Sequence, residues 1–244
     1  TTDAKTLNQT PTSNHRIVVY DSKAPVATSV SIISRGEGSS DKYIKNNEIV
    51  RFIVNFEEEV IVPANYKDGS FTLNINGQTV KFMKRTQVSG NSYLAEYKIP
   101  ADEATLEEGE LAFRIFGYKD FAGNVGEELT ATTSDTYDKV IYDRTPVTIN
   151  GIEKDTYTYD KVGVTPTTTD TDVKSVELTK NGEVVENYTL GTPIVNVGEY
   201  KLVVKDKALN VTTKEFTIEN AVSIVTNDAT TTINAGILTE SGII

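Results

Sequence analysis

Asp120 and Asn124 lie four apart around Gly123 in the stretch KDFAGNVG (Lys119 to Gly126), and the spacing returns as Asp206 and Asn210 in KDKALNV (Lys205 to Val211). A carboxylate and a carboxamide on one short loop offer the hard oxygen atoms that a divalent cation selects. The same residues also suit a tight turn, in which Asp accepts a hydrogen bond from the backbone two residues on, Gly123 supplies a positive φ and Asn124 tolerates one. A catalytic loop is the third option. Which of the three applies depends on what the rest of the chain brings beside these loops.

Little else in the sequence has the makings of a reaction centre. The run Glu57-Glu58-Glu59 could supply paired carboxylates to a glycosidase or a metal, but neighbouring residues at a strand end face opposite ways, so a solvated strand end is expected. His15 is the sole histidine and has no Ser or Cys nucleophile near it in sequence. Tyr157, Tyr159, Tyr188 and Tyr200 could stack on sugars, yet Tyr on strands more often packs against cross-strand neighbours, and there is no Trp. With no Cys, disulfides, thiolate catalysis and Cys-ligated zinc are excluded. No Lys and Asn pair stands out for an isopeptide cross-link, and TPTTTDTD (Thr165 to Asp172) reads as a polar loop. Catalysis is not expected.

The net charge of -11 opposes a polyphosphate backbone, so nucleic acid is not an expected partner, whereas an acidic surface suits solubility and divalent cations. The N-terminus TTDAKTLNQT lacks the features of a signal peptide. No apolar run approaches the roughly 18 residues that cross a bilayer as a helix, so membrane insertion is not expected.

The elements that must position the two loops are strands. Thr, Val, Ile and Tyr recur in short alternating runs between Gly, Asn, Asp and Pro clusters, the pattern of an all-β sandwich. In EIVRFIVNF (Glu48 to Phe56), Val50, Phe52, Val54 and Phe56 form one apolar face of a half-buried strand. Asn76-Gly77 and Asn181-Gly182 each separate two alternating runs and predict hairpins, because both turn residues tolerate positive φ. Pro100 to Glu110 is helix-like but short and stopped by Gly109, so at most it caps a loop.

Internal echoes divide the chain. DKVIYDRTPV (Asp138 to Val147) repeats HRIVVYDSKAPV (His15 to Val26), and YKDFAGNVGE (Tyr118 to Glu127) is matched by VKDKALNVTT (Val204 to Thr213). The expected modules are residues 22–144 and 145–220. Matching Leu7 with Leu129 and Val18-Val19 with Val140-Ile141 makes 1–21 the terminal strand of an upstream module, or an N-terminal arm, and 221–244 the start of a further module or a tail. Residues 14–21 could then pair with a neighbouring molecule's open sheet edge.

The stretches TINGIEKDTYTY, VKSVELTKNGEVV and VGEYKLVVKDKALNVTTKEFTI resemble the bacterial Ig-like modules repeated in Gram-positive cell-surface, S-layer and adhesin proteins; residues 25 to 145 look like a longer relative. The resemblance implies secreted, extracellular, two-sheet Greek-key modules in tandem, with a structural or spacer role and no enzymatic activity. Partners would be neighbouring modules or copies of the same protein in a surface assembly. An alternative is an accessory module that binds cell-wall or host glycan or protein. In such a module the turn before the last strand lies at the end where the chain enters, so Asp120 and Asn124 are expected near Asp21, and Asp206 and Asn210 near Asp143. In related adhesins these junctions are stiffened by calcium, and the resemblance implies the same six residues as ligands here. Leu209 in place of Gly, with Lys205 and Lys207 beside Asp206, makes the second loop the weaker candidate.

Overall fold

The structure, a computed structural model, describes residues 20–35, 42–62, 71–87, 89–130, 139–159 and 162–220. The expectations for His15, for most of the N-terminal segment and for 221–244 fall outside these residues. Every regular element among them is a strand. The chain forms two compact units, one comprising Thr1–Thr148, Thr168–Val176 and Val203–Thr213, the other Ile149–Thr167, Glu177–Leu202 and Lys214–Ile244.

In the first unit the strands run β1 (Ala27–Ser34), β2 (Tyr43–Ile44), β3 (Ile49–Phe56), β4 (Thr72–Ile75), β5 (Gln78–Lys81) and β6 (Met83–Lys84). They continue with β7 (Asn91–Lys98), β8 (Gly109–Glu110), β9 (Arg114–Phe116), β10 (Leu129–Thr130) and β11 (Ile141–Tyr142). One sheet has the order β1-β3-β7-β6 and a second β10-β9-β4-β5. An Ig sandwich sets its A, B, E and D strands against C, F and G. Here β1, β3, β7 and β6 occupy the first four places and β4, β9 and β10 the others, so the fold is all-β and Ig-like by strand order.

Side-chain alternation produces the core. Val50, Phe52, Val54 and Phe56 of β3 are all buried, and Val54 sits opposite Tyr93 of β7. Burying each such side chain stabilises by about 1.5–3 kcal/mol. The Phe56 ring meets Phe71, Tyr93 and Tyr118 at centroid distances of 5.5, 5.7 and 4.8 Å. Tyr118 stands two residues before Asp120, so this aromatic cluster anchors the start of the KDFAGNVG loop. Its hydroxyl donates to the Glu127 carbonyl on the far side of that loop.

Both predicted hairpins form. Ile75 pairs with Gln78 around Asn76 and Gly77, at φ 48° and 74°, and Lys180 pairs with Glu183 around Asn181 and Gly182, at 51° and 85°. Positive φ at both central residues gives the turn twist that matches a right-twisted ribbon. Pro100 to Glu110 forms turns and ends in β8, with no helical turn.

A small third sheet, β2-β11-β8, holds the segment that leads to Asp143. β11 runs parallel to β2 and antiparallel to β8, and the Asp143 amide donates to the Ile44 carbonyl at 2.9 Å.

The remaining strands are β12 (Thr156–Thr158), β13 (Val173–Lys180), β14 (Glu183–Val184), β15 (Gly198–Asp206) and β16 (Val211–Glu219), in one sheet of order β12-β16-β15-β13-β14. β12 pairs with β16 in parallel. The second unit has its own core, where Tyr200 stacks on Phe216 at 5.2 Å and Tyr157 meets that ring edge-on at 6.0 Å. These tyrosines therefore pack, as cross-strand residues do. Isolated antiparallel bridges join Asn150 to Thr167 and Val164 to Ile194.

Candidate functional site

The two Asp-x-x-x-Asn loops have the same hydrogen-bond plan. Asp120 Oδ1 accepts from the Asn124 amide at 2.8 Å, and Asp206 Oδ1 accepts from the Asn210 amide at 2.8 Å. Gly123 N donates to the Asp120 carbonyl at 3.2 Å, and Leu209 N to the Asp206 carbonyl at 3.1 Å. Each Asn side chain then donates twice. Asn124 Nδ2 reaches Asp120 Oδ2 at 2.7 Å and the Asp21 carbonyl at 3.1 Å. Asn210 Nδ2 reaches Asp206 Oδ2 at 2.9 Å and the Asp143 carbonyl at 3.1 Å. The structure thus brings each loop to the linker acid expected from the sequence.

The turn chemistry adds to expectation in one respect and departs from it in another. The loop aspartates also accept from the amide four residues on, and the two-residue pattern recurs in the linker acids, where Asp21 Oδ1 accepts from Lys23 N and Asp143 Oδ1 from Thr145 N. Positive φ falls at Gly123 (94°) and at Leu209 (63°), and Asn124 does not share it. A left-handed Leu is uncommon because its Cβ crowds the backbone.

Two further acids, beyond the six residues expected as ligands, complete the arrangement. Carboxylate oxygens of Asp21, Glu58 and Asp120 lie within 4.8 Å of one another, as do those of Asp143, Asp172 and Asp206. Glu58 lies just after β3, on the way to β4, and Asp172 lies just before β13. In an Ig fold the connection that carries Glu58 clusters with the last hairpin at one end. Glu58 thus departs from the solvated strand end expected of Glu57-Glu58-Glu59, and Asp172 does more than close the polar loop Thr165 to Asp172. Lys207 N donates to the Asp172 carbonyl at 2.9 Å, while the Lys205 and Lys207 side chains are exposed. Carboxylates from three chain segments, with carbonyls close by, form a donor set suited to a hard cation of flexible coordination.

Comparison with known proteins gives a short match to one sequence and weak likenesses to solved structures, tandem Ig domains among them. No family model matches the chain. An outer cell wall protein of Brevibacillus brevis is 46% identical over 56 residues, which is 23% of this chain and 6% of that protein. The I-band fragment I67-I69 from titin aligns over 82% of this chain and 66% of its own, at a TM-score of 0.46 and 7% identity. The N-terminal part of the bacterial S-layer protein SbsC aligns over 81% of this chain and 44% of its own, at 0.24 and 18%. The Ig-like assignment rests on strand order, not on these scores.

The electrostatics of the two clusters differ. In the first, Asp120 is 1% exposed. Burial alone would raise its pKa, but hydrogen bonds from Asn124, Gly123 and Ala122 outweigh that and hold it below the usual range. Glu58 is pushed up by burial and by the charges of Asp21 and Asp120. In the second cluster, Asp206 is fully buried. Asp143 is pushed up to about 6, first by burial and then by the charges of Asp206 and Asp172, against a lowering bond from Thr145 N. Asp143 Oδ2 is a buried side-chain oxygen with no hydrogen-bond donor.

Proposed function

We propose that this chain is a non-catalytic stretch of tandem Ig-like modules from a bacterial cell-surface protein of the S-layer or adhesin type. It acts as a spacer whose inter-module junctions are stiffened by calcium. The observation that carries the reading is the repeated carboxylate cluster, with the undonated, buried Asp143 Oδ2 at its second occurrence. Buried like charges without a counter-ion are costly, and a divalent cation offsets that cost while tying together the segments that bear them. The ligands would be Asp21, Glu58 and Asp120 at one site and Asp143, Asp172 and Asp206 at the other. Asn124 and Asn210 donate through their Nδ2 to the loop aspartates and the linker carbonyls and so orient those ligands, while each keeps an Oδ1 that can serve as a donor to the ion. The short identity with an outer cell wall protein supports a surface location, and Ig-like strand order supports a mechanical role.

Because Asp143 carries the unsatisfied oxygen, we place the tighter site at Asp143–Asp172–Asp206, the reverse of the order drawn from Leu209 and the lysines. Titration calorimetry with calcium chloride after chelation is the test. Heat of binding with a raised melting temperature is the expected result; no heat together with an unchanged melting temperature would sink the reading.

A further inference from the structure

Lys45 lies one residue beyond β2, and its Nζ donates to the backbone carbonyl of Leu209 at 2.6 Å in a part-buried contact spanning 164 positions of sequence. Leu209 is the residue held at φ 63°, where the matching loop uses Gly123. Glycine enters that conformation freely, and a residue with a Cβ does so only when its surroundings over-determine it. A charge-assisted hydrogen bond to the carbonyl of the strained residue is such a determinant. The segment 42–45 also fixes the linker acid, since Ile141 N donates to the Lys42 carbonyl at 2.7 Å and Asp143 N to that of Ile44 at 2.9 Å. Lys45 itself is braced by Glu48, whose Oε2 accepts from the Lys45 amide at 3.0 Å.

We propose that Lys45 is a positioning residue for the Asp143–Asp172–Asp206 cluster: its ammonium latches Leu209 in the left-handed conformation that aims Asp206 and Asn210 at Asp143. Lys45 touches no ligand ion in this scheme and acts through the turn. The role of the cluster as a calcium site rests on the proposed function; the latch does not.

Two measurements separate them. Amide hydrogen exchange in chelator reads the latch directly. In Lys45→Met, and in Lys45→Gln as a second variant, the amides of Leu209 and Asn210 should exchange about ten-fold faster while those of Gly123 and Asn124 are unchanged. Adding Leu209→Gly should abolish the difference, because glycine needs no latch. Calcium titration of the same proteins should show about three- to ten-fold weaker binding at one site in Lys45→Met, and full recovery in Lys45→Met/Leu209→Gly. Unchanged exchange at Leu209 and Asn210 in both Lys45 variants would overturn the latch. If the unsubstituted protein takes up no calcium, the cation reading fails and exchange alone decides for or against Lys45.

Discussion

Asn210 donates its side-chain amide to the backbone carbonyl of Asp143 at 3.1 Å across 67 residues, and holds Asp206 Oδ2 with the same nitrogen. A single carboxamide therefore joins the linker to the turn before the last strand. Asn124 repeats the arrangement on Asp21 and Asp120. Both contacts are short, partly or wholly shielded from water, and directed at atoms beside a carboxylate cluster.

Replacing Asn210 with Ala should destabilise the protein by about 1–3 kcal/mol, since it strips Asp206 Oδ2 and the Asp143 carbonyl of the side-chain donor they share. Urea denaturation of Asn210→Ala beside Asn124→Ala will show whether both carboxamides matter. A loss below the error of the method in both would assign them no structural weight.

Acidity at Asp143 sets a pH dependence with a definite sign. Its pKa in the folded chain is raised from the usual 3.8 to about 6, so the folded state holds the proton more tightly than the unfolded one. The stability this contributes is complete below the unfolded value and is lost as pH rises through about 6. In chelator, the parent should therefore weaken relative to Asp143→Asn as pH climbs from about 4 to about 7, as followed by denaturant midpoints. Parallel pH profiles for the two proteins would contradict the shift.

Glu58 and Asp172 supply the third carboxylate of each cluster. Glu58→Gln and Asp172→Asn should each weaken calcium binding about ten-fold at one site and leave the other alone, because affinity follows the count of charged ligands. Calorimetric titration of each variant against the parent checks this. An equal effect of either substitution on both binding phases would show that the clusters are not separate sites.

Gly126 lies under the Tyr118 ring, where a Cβ would fall 1.8 Å from the ring edge. Gly126→Ala should push Tyr118 out of its contact with Phe56 and Phe71 and cost about 1–3 kcal/mol. Gly123→Ala meets no neighbour within 4 Å and should cost only the strain of φ 94°. Thermal melts of the two variants should rank Gly126→Ala as the less stable.

Residue order along the chain was enough for the β architecture, both Asn-Gly hairpins and the two matching Asp-x-x-x-Asn loops, while the pairing of each loop with a linker acid followed from the resemblance to Ig-like modules. The strands, hairpins and loops follow from local physics: side-chain alternation, the φ tolerance of Asn and Gly, and a repeat that keeps register between Tyr118–Glu127 and Val204–Thr213. Glu58 and Asp172 were not legible, because one sits in a triplet of acids and the other in a polar run, and neither aligns with the other in the repeat. Only the meeting of three loops at one end of a sandwich selects them. The conformation of Leu209 was likewise not legible: the folded chain holds it left-handed, its carbonyl accepting from Lys45 Nζ. Periodicity and turn propensity act over a few residues, so sequence determined the strands and turns. The clusters and the latch depend on groups separated by up to 164 positions, and tertiary packing alone decided those.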